Sequence, residues 1–286
     1  MLIQENIPLG SKTTMRIGGA ARWYMELNTK QDAEYAYVFA KQKNLPLIVL
    51  GGGSNTVFAD GIIEALVVRV KYDELNTATR ICVGAGRILA SLINDLAEKN
   101  LDLSPLTGIP GTLGGAIFGN AGDGPHGTWI DSYVESVEAF VDDSWKIFTK
   151  AECKFTYRES IFKNMNSPII WSALLSAPSK PSAETIAEID RLIQKRIDTQ
   201  PHLKTAGSCF KAVAETPAWK LIDAMGLRGK KVGDIQIAEK HANFLLNTGK
   251  GTFDDAKKII ELIRENVPET LEVEMRFIDE KGNMVF

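Results

Sequence analysis

The 286-residue chain has few of the residues that build metal centres and disulfide frameworks. It contains 3 cysteines, Cys82, Cys153 and Cys209, and 3 histidines, and none of them belongs to a CxxC or HExxH motif. An odd number of isolated cysteines predicts reduced thiols rather than disulfides. Scattered histidines argue against zinc, which needs closely spaced ligands, so we expect no metal site.

The chain also lacks long hydrophobic runs and a strong excess of either charge. No apolar run reaches the roughly 20 residues of a membrane-spanning helix, and residues 1–6 have neither the basic head nor the apolar core of a signal peptide. The net charge of −3 predicts no broad basic face for nucleic acid. We therefore expect a cytoplasmic protein that binds neither membranes nor nucleic acid.

Glycine, in contrast, is concentrated in residues 108–122. The glycines of this stretch are Gly108, Gly111, Gly114, Gly115, Gly119 and Gly122. Apolar neighbours such as Leu113 and Phe118 indicate a buried turn, because a flexible linker would be polar and rich in serine. A buried glycine-rich turn presents main-chain N–H groups that suit phosphate, although alone it is also compatible with a tight turn beneath a helix.

A second glycine-rich stretch follows a predicted buried strand. Residues 51–55 have the sequence GGGSN and come directly after the apolar residues 45–50. Two such stretches predict a ligand with two phosphates, that is, a dinucleotide. Neither has the spaced GxGxxG of a Rossmann turn, which argues against a nicotinamide-type domain.

The hydrophobic pattern predicts alternating helices and strands. Helices are predicted over residues 29–43, 88–99, 183–196, 218–225 and 252–265, the third of them solvent-exposed. Strands are predicted over residues 15–17, 23–27, 45–50, 56–59, 62–70, 80–84, 133–141, 145–148, 169–175, 235–238, 243–247 and 271–278. Thr29 and Thr252 are expected N-caps, with a capping box at the second. Residues 123–127 predict a turn, and residues 179–182 predict a domain boundary.

Seven short motifs together resemble a known family along nearly the whole chain. They are TMRIGG at 14–19, GGGSN at 51–55, GIPGTLGG at 108–115, NAG at 120–122, YRES at 157–160, GSCFK at 207–211 and LEVEMRFI at 271–278. Their identity and order resemble the UDP-N-acetylenolpyruvoylglucosamine reductases (UDP-N-acetylmuramate dehydrogenases) of bacterial peptidoglycan synthesis. Each motif alone is weak, and the resemblance depends on the ordered set.

The resemblance implies an α+β flavoprotein with an FAD-binding fold of two α/β subdomains and a third, α+β substrate-binding domain. We expect these domains at residues 1–70, 71–180 and 181–270, with residues 271–286 returning near the second. NADPH would reduce bound FAD, and the reduced flavin would reduce the enolpyruvyl ether of a UDP-sugar to UDP-N-acetylmuramate. We expect a monomer whose partner is this small-molecule substrate.

Three catalytic side chains follow from the matching positions. Arg158 would stabilise the negative charge that forms beside the substrate carboxylate when hydride reaches the terminal vinyl carbon. Ser208 would donate the proton, and Glu274 would lie near the enolate. We choose Glu274 rather than Glu272 because the family glutamate lies two residues before the arginine at 276. Outside the motifs, an ion-paired arginine, a turn serine and a solvated glutamate would explain these residues.

The resemblance also implies binding residues. The cofactor would contact Gly51, Gly52, Gly53, Ser54, Asn55, Gly108, Gly111, Thr112, Gly114, Gly115 and Asn120. The substrate would contact Tyr157, Lys211, Lys240 and Asn243. A core tyrosine, a solvated lysine and a strand-end turn explain the substrate positions equally well.

Two departures from the family pattern leave alternatives open. Ala212 and Val213 replace the usual Asn-Pro, and residues 123–128 replace a shorter turn. The absence of a long insert after Arg158 resembles the shorter branch, which lacks an extra tyrosine-bearing loop. The competing hypotheses are an FAD oxidase acting on an alcohol or sugar and a scaffold without catalysis. Such oxidases often tether flavin through His or Cys, which neither glycine-rich stretch contains, although His126 lies just outside one.

Overall fold

The computed structural model describes residues 2–124 and 127–286, so part of the turn predicted at 123–127, including His126, lies outside the described residues. The chain divides into two compact units. The first unit comprises residues 25–52 and 66–196 with the start of the chain, and the second comprises residues 4–24, 53–65 and 197–286. Both units are discontinuous in sequence. The three predicted domains stay a prediction, and residues 1–70 are divided between the two units.

Helices and strands alternate along the described chain. The helices are α1 Lys30–Gln42, α2 Leu89–Ala97, α3 Leu113–Phe118, α4 Ser182–Thr199, α5 Ala218–Ala224 and α6 Phe253–Asn266. The strands are β1 Gln4–Pro8, β2 Ala20–Leu27, β3 Leu47–Val49, β4 Thr56–Phe58, β5 Ile62–Val70, β6 Leu75–Asn76, β7 Ile81–Gly84, β8 Val134–Val141, β9 Ser144–Thr149, β10 Ile169–Leu175, β11 Lys231–Val232, β12 Ile235–Ile237, β13 Leu245–Asn247 and β14 Arg276–Ile278. This mixture confirms the predicted α+β class.

The strands form four sheets. An antiparallel sheet of the first unit has the order β6-β7-β10-β8-β9, and an antiparallel sheet of the second has the order β11-β12-β13. Strand β14 pairs in parallel with β4. The remaining sheet has the order β1-β2-β5-β3, in which β1 and β2 are antiparallel and β3 and β5 are parallel. Each of these sheets therefore places strand ends and loops where a site can form.

Each unit has a hydrophobic core of its own. In the first, Leu92 of α2 and Ile117 of α3 belong to one buried cluster with Val83 and Val137 of the antiparallel sheet. In the second, one face of α6 joins β12 and β14 in another cluster. Burial of helical apolar faces against sheets supplies the main stabilising free energy of such layers.

Helices α1 and α6 begin at the predicted caps. The side chain of Thr29 accepts a hydrogen bond from the N–H of Asp32, and the Asp32 carboxylate accepts one from the N–H of Thr29. Thr252 and Asp255 make the same reciprocal pair at α6. Two N–H groups are satisfied at each helix start, which confirms both predicted caps.

The hairpin predicted across residues 142–144 is also confirmed. Val141 pairs with Ser144, so that Asp142 and Asp143 are its two loop residues, with φ of 50° and 60°. Positive φ at both central positions is the type I′ turn, whose twist matches that of the strands. Aspartate tolerates this conformation better than most residues, which explains the sequence at this point.

The strand predicted at residues 15–17 does not form. Arg16 has a φ of 61°, which is incompatible with an extended strand, and β2 begins only at Ala20. Met15 and Ile17 are nevertheless buried in the second unit's core. The alternation that predicted a strand therefore reflects burial of two side chains in an irregular segment.

The last predicted strand is shorter than expected. Of residues 271–278, only Arg276–Ile278 form β14. Residue Val273 makes an isolated bridge to Phe210 instead of extending the strand. Strand β14 pairs in parallel with β4, and the expectation that residues 271–286 return near residues 71–180 stays a prediction. Within residues 2–124 and 127–286, every helix is too short or too polar to cross a membrane.

Candidate active site

The two glycine-rich stretches meet within the first unit. A Cβ on Gly52 would lie 2.6 Å from the Cα of Gly111, and a Cβ on Gly51 would lie 2.9 Å from the Oγ1 of Thr112. No side chain fits at either position, so the glycines allow a main-chain approach that another residue would block. We call Gly51, Gly52, Gly111 and Thr112 the glycine cradle.

The glycine cradle contains main-chain donors without acceptors. Among the described residues, the N–H groups of Gly51, Gly52, Gly111 and Thr112 make no hydrogen bond to the protein. Thr112 is buried and the other three are half-buried. Unpaired N–H groups in a turn without side chains suit the oxygens of a phosphate. The cradle therefore fits the diphosphate of a dinucleotide cofactor.

The stretch from 108 to 122 is not the continuous turn that its composition predicted. Residues Leu113–Phe118 form α3, and the Thr112 side chain caps it by accepting from the N–H of Gly115. Gly114 lies against Ala85, where a Cβ would be 3.0 Å from the alanine Cβ. Close packing against Ala85 thus explains the glycine at 114. The glycine cradle lies at the start of the short helix α3.

Several predicted cofactor ligands are engaged by the protein itself. Gly53 has a φ of 70°, and a Cβ there would lie 2.2 Å from the carbonyl oxygen of Lys12. The buried carboxamide of Asn120 donates to the carbonyl of Thr156 at 2.9 Å and accepts from the N–H of Asp131 at 3.3 Å. Gly53 and Asn120 therefore have structural roles, and their predicted contacts with the cofactor stay predictions.

Arg158 occupies a strained turn. Thr156 and Glu159 exchange main-chain hydrogen bonds across Tyr157 and Arg158, and Arg158 has a φ of 58°. Positive φ at the third position is characteristic of a type II turn, which favours glycine there. A non-glycine residue in this conformation costs about 1 kcal/mol or more, and such strain is typical of functional positions.

Neighbouring residues hold this turn in place. The hydroxyl of Ser160 donates to the carbonyl of Phe118 at the end of α3, at 2.7 Å. The ammonium of Lys163 donates to the carbonyl of Arg158 at 2.5 Å and forms an ion pair with Glu159 at 3.2 Å. These bonds keep the Arg158 backbone in place and so compensate its strain.

A second guanidinium lies near Arg158, and the sequence did not identify it. The side chain of Arg196, on α4, crosses Gly108, where a Cβ would lie 2.1 Å from its Cδ. Burial lowers the pKa of Arg196, and the positive charge of Arg158 lowers it further. The ion pair of Arg196 with Asp123, at 3.6 Å, raises this pKa and so offsets part of the decrease. Two arginines that repel one another form a favourable site for an anion. Arg196 was missed because α4 has the pattern of a solvated helix, although its Thr185 and Ile189 are buried.

Ser208 lies in a short irregular segment of the second unit. We call residues 207–211 the proton-donor segment, after the role that the resemblance implies for Ser208. Gly207 has a φ of 78°, and Ser208 follows it directly. The N–H of Cys209 donates to the carbonyl of Asn243 at 2.9 Å, and the carbonyl of Cys209 accepts from the N–H of Glu274 at 2.8 Å. The structure therefore brings Ser208 and Glu274, predicted from motifs 66 positions apart in the chain, onto neighbouring segments.

Glu274 and Glu272 differ in their surroundings. Glu274 is half-buried, and its carbonyl accepts from the Asn55 side chain at 3.0 Å. Glu272 is exposed and forms an ion pair of 2.6 Å with Lys211. Glu274 is therefore the more buried of the two glutamates, and its catalytic role stays a prediction. Asn55, predicted to bind the cofactor, uses its side-chain amide to hold the Glu274 main chain.

The other predicted substrate ligands have protein partners. The Lys240 ammonium donates to the carbonyl of Ile197 at 2.6 Å on the surface. The carboxamide of Asn243 is bonded to Phe210 through both its polar atoms. Tyr157 packs beside Trp129 with ring centroids 5.8 Å apart. Substrate binding by Tyr157, Lys211, Lys240 and Asn243 stays a prediction.

The cysteines are free thiols, as predicted. Cys82 is exposed, whereas Cys153 and Cys209 are buried. Burial raises the pKa of Cys153 to about 12 and also raises the pKa of Cys209. Both buried thiols are therefore protonated and unreactive near neutral pH. Within the described part of the chain, no group of three or more His, Cys, Asp or Glu side chains could hold a metal ion.

Comparison with known proteins gives matches to two family models. Residues 198–277 match the family model described as the C-terminal domain of UDP-N-acetylenolpyruvoylglucosamine reductase, and residues 21–144 match that of an FAD-binding domain. A protein named UDP-N-acetylenolpyruvoylglucosamine reductase from Chlamydia felis (strain Fe/C-56) is 34% identical over 284 residues, which cover 96% of this chain and 94% of the relative. Its namesake from Thermotoga sp. (strain RQ2) is 36% identical over 275 residues, covering 93% and 89%.

A solved structure is similar over nearly the whole chain. The crystal structure of UDP-N-acetylenolpyruvylglucosamine reductase from Thermus caldophilus aligns with a TM-score of 0.85 and 30% sequence identity. The alignment covers 96% of this chain and 99% of that protein. Sequence and fold therefore indicate the same group of proteins.

Proposed function

The chain belongs to the family of UDP-N-acetylenolpyruvoylglucosamine reductases, and from this premise we propose that it reduces UDP-N-acetylglucosamine enolpyruvate to UDP-N-acetylmuramate with NADPH. The observation that carries the proposal is the full-length similarity, which includes both the FAD-binding and the C-terminal parts. The reaction belongs to peptidoglycan synthesis, and through the cell wall it serves cell shape, the cell cycle and cell division. We place the protein in the cytoplasm, as a monomer.

The glycine cradle supports FAD as the bound cofactor. Its unpaired N–H groups, on Gly51, Gly52, Gly111 and Thr112, would hold the diphosphate. The chemistry that bound FAD supplies is hydride transfer, first from NADPH and then to the terminal carbon of the enolpyruvyl double bond. The protein contributes orientation, charge stabilisation and a proton.

Arg158 supports the first half of the substrate chemistry. Addition of hydride to the terminal carbon leaves negative charge on the adjacent carbon and its carboxylate. A guanidinium stabilises such charge best when it is already in place, because no reorganisation is then needed. The well-anchored turn keeps the Arg158 main chain in one conformation, and nearby Arg196 adds positive potential.

Ser208 and Glu274 support the second half. The O–H bond of Ser208 breaks as a C–H bond forms at the negatively charged carbon, and water returns a proton to the serine oxygen. The Glu274 N–H donates to the carbonyl of Cys209, so that Glu274 is bonded to the residue directly after Ser208. A half-buried carboxylate there polarises the hydroxyl and the solvent that reprotonates it.

The oxidase hypothesis is less well supported. It depends on the FAD-binding fold, which many flavoenzymes share, and fold does not specify function. The C-terminal match over residues 198–277 is to the reductase domain. The candidate tether His126 lies outside the described residues. The scaffold hypothesis is opposed by Arg158, Ser208 and Glu274, which are all present at their motif positions.

The test is a two-step spectroscopic assay on the purified protein. We expect a flavin spectrum that NADPH bleaches without oxygen and that the UDP-enolpyruvyl sugar restores, with one product formed per flavin reoxidised. Failure of the UDP-sugar to reoxidise the flavin would reject the proposal. Reduction by an alcohol or sugar followed by reoxidation with oxygen, or flavin that stays attached after acid precipitation, would favour the oxidase.

A further inference from the structure

We propose that Asn243 is a positioning residue, which holds the Ser208 hydroxyl for proton transfer instead of binding substrate. This inference rests on the proposed function, in which Ser208 donates the proton. It assigns to Asn243 a role that acts through the main chain of the proton-donor segment.

The carboxamide of Asn243 forms two hydrogen bonds with the main chain of Phe210, and we call this pair of bonds the clasp. Its Nδ2 donates to the carbonyl of Phe210 at 2.9 Å, and its Oδ1 accepts from the N–H of Phe210 at 3.0 Å. The carbonyl of Asn243 also accepts from the N–H of Cys209 at 2.9 Å. A single asparagine thus supplies one donor and two acceptors to the two residues that follow Ser208.

The proton-donor segment depends on this clasp because it belongs to no regular sheet. Ser208 and Phe210 make only isolated bridges, to Phe244 and Val273. Gly207 has a positive φ, and a Cβ there would meet no heavy atom within 4 Å, so the space beside the residue before Ser208 is open. Cys209 and Phe210, which follow Ser208, are buried in the second unit's core. Core packing therefore anchors the two residues after Ser208, and hydrogen bonds from neighbouring segments orient the main chain that carries Ser208.

The same geometry argues against substrate binding by Asn243. The residue is 6% exposed, and both polar atoms of its side chain already have partners on Phe210. A substrate contact would require breaking a buried hydrogen bond, which leaves a main-chain group of Phe210 unsatisfied. Leaving such a group unsatisfied costs more free energy than a typical new hydrogen bond contributes.

Removing the clasp should affect the proton step selectively. A displacement of about 1 Å at a reacting group can cost roughly 100-fold in rate. We expect Asn243→Ala to slow flavin reoxidation by saturating UDP-enolpyruvyl sugar by about 10- to 100-fold. Flavin reduction by NADPH needs no proton from Ser208, so the ratio of the two rate constants should fall by nearly the same factor.

Two further variants separate positioning from general damage. Asn243→Asp keeps the shape and the acceptor for the Phe210 N–H but loses the donor, so it should lower the ratio while keeping the fold. Asn247→Ala is the matched control, because Asn247 is also buried, donates to Met15 and accepts from Gly249 and Gly251. It should lower the melting temperature without changing the ratio.

The decisive measurement is a double-mutant cycle with Ser208→Ala. If Asn243 acts through Ser208, Asn243→Ala should slow reoxidation no further in the Ser208→Ala background. Additive losses, an unchanged ratio in Asn243→Ala and Asn243→Asp, or a raised KM with an unchanged rate at saturation would each overturn the inference. Failure of the wild-type protein to react with the UDP-sugar would instead reject the proposed function.

Discussion

The glycine cradle of the first unit and the proton-donor segment of the second are built in opposite ways. The cradle consists of main chain from two stretches that approach closely because side chains are absent. The proton-donor segment is held by side chains and main chain from residues 243 and 272–274. Both sites join segments that are distant in sequence, but in the cradle the approach depends on missing side chains, whereas in the proton-donor segment it depends on hydrogen bonds.

The difference follows from what each site must do. Phosphate binding needs several N–H groups pointing at one anion, which a glycine-rich turn provides locally. Proton transfer needs one hydroxyl held to a fraction of an ångström, and an irregular segment achieves this only with external partners. Mutations in the two regions should therefore fail differently, one by losing cofactor and the other by losing rate.

The largest expected effect is on rate, at Ser208. Ser208→Ala should slow flavin reoxidation by the UDP-enolpyruvyl sugar by about 100- to 10,000-fold, since general acid catalysis contributes that much. Flavin reduction by NADPH and flavin content should stay near wild type. Stopped-flow absorbance measures the rates of both steps. An equal decrease in both rates would show that Ser208 does not act in the proton step, and the two regions would then not differ in the way described.

A smaller effect, on cofactor content, is expected at Gly52. Gly52→Ala places a Cβ 2.6 Å from the Gly111 Cα, so the cradle must open, at a cost of about 1–3 kcal/mol. We expect the purified variant to contain less FAD and to regain activity when FAD is added in excess. The matched control is Gly119→Ala, whose Cβ would meet nothing closer than 3.7 Å.

Flavin content, read from absorbance after denaturation, decides this comparison. Wild-type FAD content in Gly52→Ala with normal stability would show that the close approach is not needed for the cofactor. Equal losses in Gly52→Ala and Gly119→Ala would show that the whole stretch, rather than the cradle, determines binding.

The smallest effect is expected at Glu272. Its side chain is 69% exposed, so its ion pair with Lys211 contributes only about 0–1 kcal/mol and is screened by salt. Glu272→Gln should change stability by less than 1 kcal/mol on that scale, with reoxidation close to wild type. Glu274→Gln should slow reoxidation strongly, and a reversal of this order would identify Glu272 as the functional carboxylate.

Local patterns in the sequence predicted local structure well. The caps at Thr29 and Thr252 and the turn at Asp142 and Asp143 depend on residues within a few positions, so the sequence contains all that is needed. The predictions failed where distant contacts compete. Residues 15–17 alternate like a strand, yet Arg16 takes positive φ while its neighbours are buried.

The candidate site shows the same division. Arg158, Ser208 and Glu274 were predicted from motifs, and so were the glycines of the cradle. Arg196 was not, because a charged residue on an amphipathic helix is usually solvated and only folding places it across Gly108. Asn55 and Asn243 were predicted as ligand contacts, which stay predictions, and the sequence did not show that their side-chain amides are bonded to the main chain.

The order of residues along this chain was sufficient for its family, its mixed class, its helix caps and the chemical types in its site. Those properties depend on side-chain chemistry and on spacing over a few positions. Folding alone decided which glycines approach one another, which arginine lies near Arg158 and which asparagine bonds to the proton-donor segment. Such contacts join residues far apart in the chain, and their free energy depends on distances that only the packed structure sets.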